Sequence, residues 1–218
     1  MKSILFGVLL FFCLLANGQR DVDSLLSSAA CVCLSQSKSI GDDSFGECFM
    51  KSFQENNALL IAECYRIYKD SSDNVAQRFG LDIYKKLSVS MIFTCDRYYH
   101  TMDSLRNQTL DYITIDSAKS QIEIIKKVNS NKLTTEFYNL KGIIEFKTGR
   151  FSSAIENFDM ALNIDKNNFQ SMFLKAWSLE KNHHFDEAIA IYKSLADITG
   201  KYDFNIFSAL AERKKKSW

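Results

Sequence analysis

Residues 142–165 read GIIEFKTGRFSSAIENFDMALNID, and residues 176–199 read AWSLEKNHHFDEAIAIYKSLADIT. The two stretches carry similar residues at corresponding places, and Ala154 and Ala188 lie 34 positions apart. Apolar residues recur at helical spacing in each half of a stretch, and a polar turn separates the halves. Each stretch therefore predicts two antiparallel helices, and the repetition predicts that successive helix pairs stack on one another.

Small residues stand where the two helices of each pair would cross. Close approach of two helices requires a small side chain on each of them. Gly142 and Ala154 supply these in the first pair, and Ala176 and Ala188 supply them in the second. Large rings then fill the space between successive pairs: Phe151, Phe158, Phe185 and Tyr192.

This pattern resembles the tetratricopeptide (TPR) repeat family in the C-terminal third of the chain. The resemblance implies a first hairpin at residues 134–168, a second at 169–200 and a capping helix at 201–218. Lys166 replaces the proline that usually separates repeats, and His183 stands where the first hairpin has Gly149. These two departures predict less sharp turns.

In the TPR family the first helix of each hairpin lines a concave groove that holds a peptide or helix of a partner. Phe173 and Trp177 lie one helical turn apart in this groove, and such an aromatic pair suits a binding hot spot. The alternative is that both rings are buried under the N-terminal region or the capping helix. Carried over by position, the partner-binding candidates are Glu136, Asn139, Ile143, Phe146, Lys147, Gln170, Phe173, Trp177, Glu180 and Lys181.

The rest of the chain also favours helices, because it contains no proline and only 8 glycines. Residues 19–106 read as a cysteine-containing helical region. Residues 107–133 read as a connector followed by a degenerate repeat helix, with one short extended piece expected in the β-branched cluster Tyr112 to Ile115. The predicted fold is all-α, with a disulfide-pinned helical region followed by a short α/α superhelix of TPR hairpins.

The first 18 residues have the features of a secretory signal peptide. Lys2 precedes an apolar run from Ile4 to Ala16, and the small residues Ala16 and Gly18 suit cleavage before Gln19. The run is too short to span a membrane, which takes roughly 20 apolar residues. We therefore expect an exported protein, periplasmic or at the cell surface, that is soluble after cleavage.

Five cysteines follow the predicted cleavage site, and all precede the repeats: Cys31, Cys33, Cys48, Cys64 and Cys95. Clustered cysteines in an exported chain favour disulfides. Cys33 and Cys48 flank a polar connector, so a bridge between them would join the first two helices. Cys31 would then pair with Cys95 or Cys64, which leaves one thiol free.

Composition and motifs argue against several other functions. The chain has 27 basic and 26 acidic residues, so it lacks the positive charge that dominates nucleic-acid binding. The basic run from Arg213 to Lys216 reads as a solvated helix end. Cys31 and Cys33 lack the two-residue gap common in zinc sites, and no catalytic motif occurs. We expect no enzyme, no metal and no cofactor.

The N-terminal layout, with Ala30-Cys31-Val32-Cys33-Leu34 after a short leader and Cys48 further on, resembles small exported TPR proteins of Bacteroidetes-type bacteria. The predicted function is a scaffold that binds a peptide or helix of a partner protein in the TPR groove. Two alternatives stay open. The chain could form a homo-oligomer as a subunit of an envelope assembly, or its N-terminal region could bind or hydrolyse a small molecule.

Overall fold

The computed structural model describes residues 22–37, 42–70, 72–128 and 133–218, and these residues are almost entirely helical. No strand occurs among them, so the all-α prediction is confirmed. The predicted signal peptide lies outside the described residues. The helices are α1 Val22–Gln36, α2 Asp42–Glu55, α3 Asn57–Tyr68, α4 Asp73–Thr94, α5 Asp96–Gln108, α6 Ile115–Val128, α7 Thr135–Lys147, α8 Phe151–Ile164, α9 Phe169–Lys181, α10 Phe185–Thr199 and α11 Asp203–Ser217.

The helices form two compact units that divide between Thr101 and Met102, within α5. This division lies close to residue 106, where the sequence placed the end of the cysteine-containing region. The domain bounds inferred from the sequence stay a prediction. The extended piece expected at Tyr112 to Ile115 is absent, because this stretch forms turns and then the first residue of α6.

Two disulfides join the helices of the first unit. Cys33 and Cys48 connect α1 to α2 with their Cα atoms 5.5 Å apart. Cys31 connects α1 to Cys95, the residue directly after α4, with a Cα separation of 5.7 Å. Cys64 on α3 is buried and free. The disulfide-pinned region is confirmed, and Cys95 is the partner of Cys31.

The buried face of α1 explains why neighbouring cysteines bind different helices. Val22, Leu26, Ala30 and Leu34 recur every four residues and form one buried stripe. Residues two apart on a helix point in widely different directions, so Cys31 and Cys33 flank this stripe on opposite sides. One thiol therefore reaches the end of α4, and the other reaches α2.

Helices α7 to α10 form the two predicted hairpins, and α11 packs against α10. Gly149 has a φ of 76° and His183 a φ of 65°, so both hairpins turn through the left-handed region. The expectation of a less sharp turn at His183 is therefore wrong. A non-glycine residue in this region costs about 1–2 kcal/mol, so the surrounding packing determines the turn in the second hairpin.

Small residues allow the helices of each hairpin to approach closely, as the sequence predicts. Ala154, Ala176 and Ala188 are completely buried. A Cβ atom added to Gly142 would lie 2.5 Å from the ring of Phe158, which is itself completely buried. The ring of Phe158 thus occupies the space that a side chain at residue 142 would need.

The disulfides give the first testable prediction. Removal of the Cys31–Cys95 bridge by two alanine substitutions should destabilise the first unit by about 4 kcal/mol, because the bridge closes a 64-residue loop. Removal of the Cys33–Cys48 bridge, with its 15-residue loop, should cost about 3 kcal/mol. Urea unfolding followed by circular dichroism measures both changes. Alkylation of the unfolded, unreduced chain from Gln19 should label Cys64 alone, and labelling of further cysteines would contradict the assignment.

A second prediction concerns Gly142. Gly142→Ala should lower the free energy of unfolding by about 1–3 kcal/mol, because the new methyl group collides with the Phe158 ring. Gly46→Ala in α2 is the matched control, since a Cβ there has no neighbour within 4 Å. The control should be neutral or stabilising, because alanine favours helices over glycine. Equal effects of the two substitutions in thermal unfolding would show that Gly142 is not required for packing.

Candidate functional site

The ten residues predicted to bind a partner differ widely in exposure. Glu136 and Gln170 are exposed, whereas Phe146, Lys147, Phe173 and Lys181 are half-buried. The four others are buried: Asn139, Ile143, Trp177 and Glu180. The expectation that these four face an open groove is wrong. Another part of the chain covers Ile143, Trp177 and Glu180, and Asn139 is buried where α7 contacts Ser171 of α9. A partner-binding role for the ten residues stays a prediction.

The covering part is residues 102–113, which we call the groove segment. It comprises the end of α5 and the turns that follow, where the N–H groups of Thr109, Asp111 and Ile113 each donate to the carbonyl three residues earlier. Leu110 of this segment lies in one buried cluster with Ile143, Leu174 and Trp177. The groove between the first helices of the hairpins is therefore filled by the protein itself.

Arg106 of the groove segment is 1% exposed and forms a two-pronged ion pair with Glu180 of α9. Its Nη1 donates to Glu180 Oε2 at 2.8 Å, and its Nη2 donates to Glu180 Oε1 at 2.6 Å. The same Nη2 also donates to Asp103 Oδ1 at 2.7 Å, one helical turn earlier. Bidentate pairs of this kind combine strength with a defined orientation.

A second cation completes the cluster. Lys214 of α11 donates to Asp103 Oδ1 at 2.6 Å and to Glu180 Oε1 at 2.9 Å. The Tyr192 hydroxyl of α10 donates to Glu180 Oε2 at 3.3 Å. We call Asp103, Arg106, Glu180, Tyr192 and Lys214 the buried ion cluster. Its two carboxylates and two cations balance, as burial of charge requires.

Aromatic rings enclose the Arg106 guanidinium, whose central carbon lies 5.4 Å from the Trp177 ring centre and 5.6 Å from that of Phe207. Phe173 contacts Trp177 and the α11 rings Phe204 and Phe207, with ring centroids 5.4–6.0 Å apart. The Phe173–Trp177 pair thus lies partly beneath the capping helix. Among the described residues, Arg106 Nε and Trp177 Nε1 are buried without a hydrogen-bond partner.

The ion cluster changes the pKa values of its members. Burial opposes the charged form of Glu180, but the charges and hydrogen bonds of Arg106 and Lys214 outweigh it and lower the pKa below 4.5. The pKa of Asp103 is lowered below 3.8 in the same way, with burial again opposed by Arg106 and Lys214. Burial raises the pKa of Tyr192, which is therefore a neutral hydrogen-bond donor.

Sequence reasoning missed Asp103, Arg106, Leu110 and Lys214. Arg106 was placed at a domain boundary, although Arg106, Leu110 and Ile113 have the spacing of one helical face. The basic run at the C-terminus was read as a solvated helix end, which is wrong for Lys214 because it pairs with two carboxylates. The run itself gave no signal that one lysine is paired with buried acids.

The described residues hold no group of three His, Cys, Asp or Glu side chains that could bind a metal. Within the same residues no helix is long and apolar enough to cross a membrane.

A TPR repeat-containing protein of Borreliella burgdorferi is 35% identical to this chain over 82 residues. The predicted resemblance to TPR repeats is confirmed. The match covers 36% of this chain, and the chain spans about a third of the length of that relative. No family model matches the chain, and no solved structure matches it. The similarity and the stacked helix pairs together support a helical repeat fold.

The lowered pKa values of Glu180 and Asp103 predict that the second unit becomes less stable in acid. Since Glu180 and Asp103 have lower pKa values folded than unfolded, the unfolded chain takes up protons first as the pH falls. Their contribution to stability is complete above about pH 5 and is lost as the pH falls through the folded-state values. Urea unfolding followed by tryptophan fluorescence, with Trp218 replaced by Phe so that Trp177 alone reports, should therefore show a lower free energy of unfolding at low pH.

Substitutions distinguish the contribution of the buried ion cluster to stability from the general destabilisation of proteins by acid. Glu180→Gln should cost about 3–5 kcal/mol at pH 7, because it leaves an excess of buried positive charge, and should weaken the pH dependence. The double variant Arg106→Met, Glu180→Leu should recover most of this loss, since it removes both charges. A double variant as unstable as Glu180→Gln would contradict the assignment of the loss to unpaired charge.

Proposed function

We propose that this chain is an exported scaffold that binds a peptide or helix of a partner protein in the groove of its TPR hairpins. The observation that carries the proposal is the groove segment. An amphipathic stretch lies against α7 and α9 with its arginine and leucine buried and its polar residues exposed. This arrangement is the general mode by which a helix binds in a groove.

The lining of the groove has the composition of a binding hot spot. Trp177 and Phe207 face the Arg106 guanidinium, and Glu180 receives its two hydrogen bonds. Tryptophan, tyrosine and arginine dominate hot spots because they combine large contact area with directional polar groups. The titratable groups of the groove pair with one another, which supports a binding role more than a catalytic one.

The first turns of α7 and α9 offer surface that the groove segment leaves accessible. Glu136 and Gln170 occupy equivalent positions in the two hairpins, and both are exposed. Beneath them, Ser171 Oγ lies 2.7 Å from Asn139 Oδ1 and links the two helices. A partner segment that lies along the groove would contact Glu136 and Gln170 at this end.

Export is supported by the two disulfides of the first unit. Stable disulfides form in oxidising compartments and are rare in the cytosol. The signal-peptide pattern of residues 1–18 supports the same proposal.

A charge-reversal pair tests the groove as the partner site. Glu136→Lys, on the groove side of α7, should weaken capture of a specific partner from the cell-envelope fraction about tenfold, because it reverses a charge at the accessible end. Glu156→Lys on α8 is the matched control, since it makes the same change at an exposed position on the second helix of the hairpin. The captured protein is identified by mass spectrometry, purified and titrated against both variants by calorimetry.

Retention of a purified partner by Glu156→Lys and its loss by Glu136→Lys would support the groove. Equal binding of the partner by both folded variants would show that the partner site lies outside the groove. Loss of binding in the Glu156→Lys variant alone would show the same.

A further inference from the structure

The groove segment presents its buried side chains at regular intervals. Arg106 and Leu110 are buried, Ile113 is half-buried, and these positions follow one another at spacings of four and three. Asp103, one turn before Arg106, pairs with both Arg106 and Lys214. On the other face, Tyr112 is 75% exposed. The end of α5 and the turns that follow it thus present an acid, an arginine and two aliphatic residues on one side.

We propose that the groove segment is a built-in ligand, and that a partner helix of the same chemistry displaces it. Such a helix carries an acidic residue three positions before an arginine, and aliphatic residues four and seven positions after it. The arginine pairs with Glu180, the acid pairs with Lys214, and the aliphatic residues contact Ile143, Leu174 and Trp177. This inference rests on the proposed function and names the partner class for that groove.

The contacts of the segment favour exchange over permanent occupancy. The closely packed helix pairs of the second unit are α6 with α7, α7 with α8, α8 with α9, α9 with α10 and α10 with α11, and α5 belongs to none of them. The segment is held through side chains, with ion pairs at Asp103 and Arg106 and apolar contacts at Leu110 and Ile113. Contacts made by side-chain ends can be released without separating the helices of the hairpins.

The ion cluster also lowers the cost of release. Arg106 and Asp103 leave together as one positive and one negative charge, and Glu180 keeps its ion pair with Lys214 at 2.9 Å. No unpaired buried charge remains in the opened groove. A buried ion pair adds little net stability over apolar contacts, because both charges must lose water. In the closed state Trp177 Nε1 has no partner among the described residues, so a ligand that offers it an acceptor gains an additional hydrogen bond.

The intrachain segment sets a threshold for any competitor. A tethered segment acts at an effective concentration of about millimolar, so a free peptide must overcome it to bind. The apparent dissociation constant equals the intrinsic one divided by the fraction of open groove. Weakening the segment in the chain therefore strengthens binding of the same sequence supplied as a separate peptide.

A labelled synthetic peptide of residues 102–114, MDSLRNQTLDYIT, tests the proposal by fluorescence anisotropy on the full chain. Leu110→Ala in the chain should bind this peptide at least about tenfold more tightly than the parent does. Tyr112→Ala is the matched control, because it changes an exposed residue of the same segment, and it should bind like the parent. A peptide with Arg106→Ala should lose binding, whereas one with Tyr112→Ala should keep it.

Equal binding of the peptide by the parent and by the folded Leu110→Ala chain would overturn the proposal. Equal binding of the unchanged peptide and the Arg106→Ala peptide would overturn it as well. If circular dichroism shows that the Leu110→Ala chain does not fold, amide hydrogen exchange of the parent chain tests the proposal instead. Excess peptide should speed exchange of the chain's own amides at residues 105–113, and unchanged exchange would overturn the proposal. Partner capture through Glu136 without peptide exchange would retain the proposed function and reject this inference, and the reverse result would do the opposite.

Discussion

The ion pair between Arg106 and Glu180 determines where the groove segment lies in the second unit. Both side chains are buried, and a buried charge without a partner costs several kcal/mol. The groove segment must therefore place Arg106 opposite Glu180, and this requirement determines its register against α9. Tyr192 of α10 and Lys214 of α11 complete the hydrogen bonds of the same carboxylate. Glu180 of α9 thus connects the groove segment, α10 and α11.

The hairpins provide the surface on which this pair forms. Gly142 and Ala154 let α7 and α8 approach, and Phe158 fills the space that Gly142 leaves. The resulting alignment brings Ile143 and Leu174 together as the floor beneath Leu110. Closely packed helices keep a fixed arrangement, so the shape of the groove does not depend on the binding of a ligand. The geometry of the groove follows from the repeat, whereas Asp103, Arg106 and Lys214, which complete its ion cluster, lie outside the repeat.

This division explains what could be predicted from the sequence. The 34-residue period and the small residues of the hairpins predicted helices, stacking and turn positions, because these depend on local patterns. The bridge between Cys33 and Cys48 was predicted because a short connector separates them. Contacts such as Arg106 with Glu180 join residues 74 positions apart and leave no periodic signal. Trp177 and Glu180 are buried, and nothing in their own helix indicated that Arg106 and Leu110 would cover them.

The charges of the groove make it selective. A purely apolar groove would accept any amphipathic helix of suitable size, because apolar contact has little directional preference. An occupant that buries Glu180 without offering it a cation binds less tightly, because burial of an unpaired charge is costly. The same holds for an occupant that offers Lys214 no acid in the place of Asp103. Specificity of this kind is a difference between affinities, and it is obtained by making wrong partners costly. We infer that the ion cluster contributes more to the choice of occupant than to stability, since a pair of apolar residues would stabilise the fold equally well.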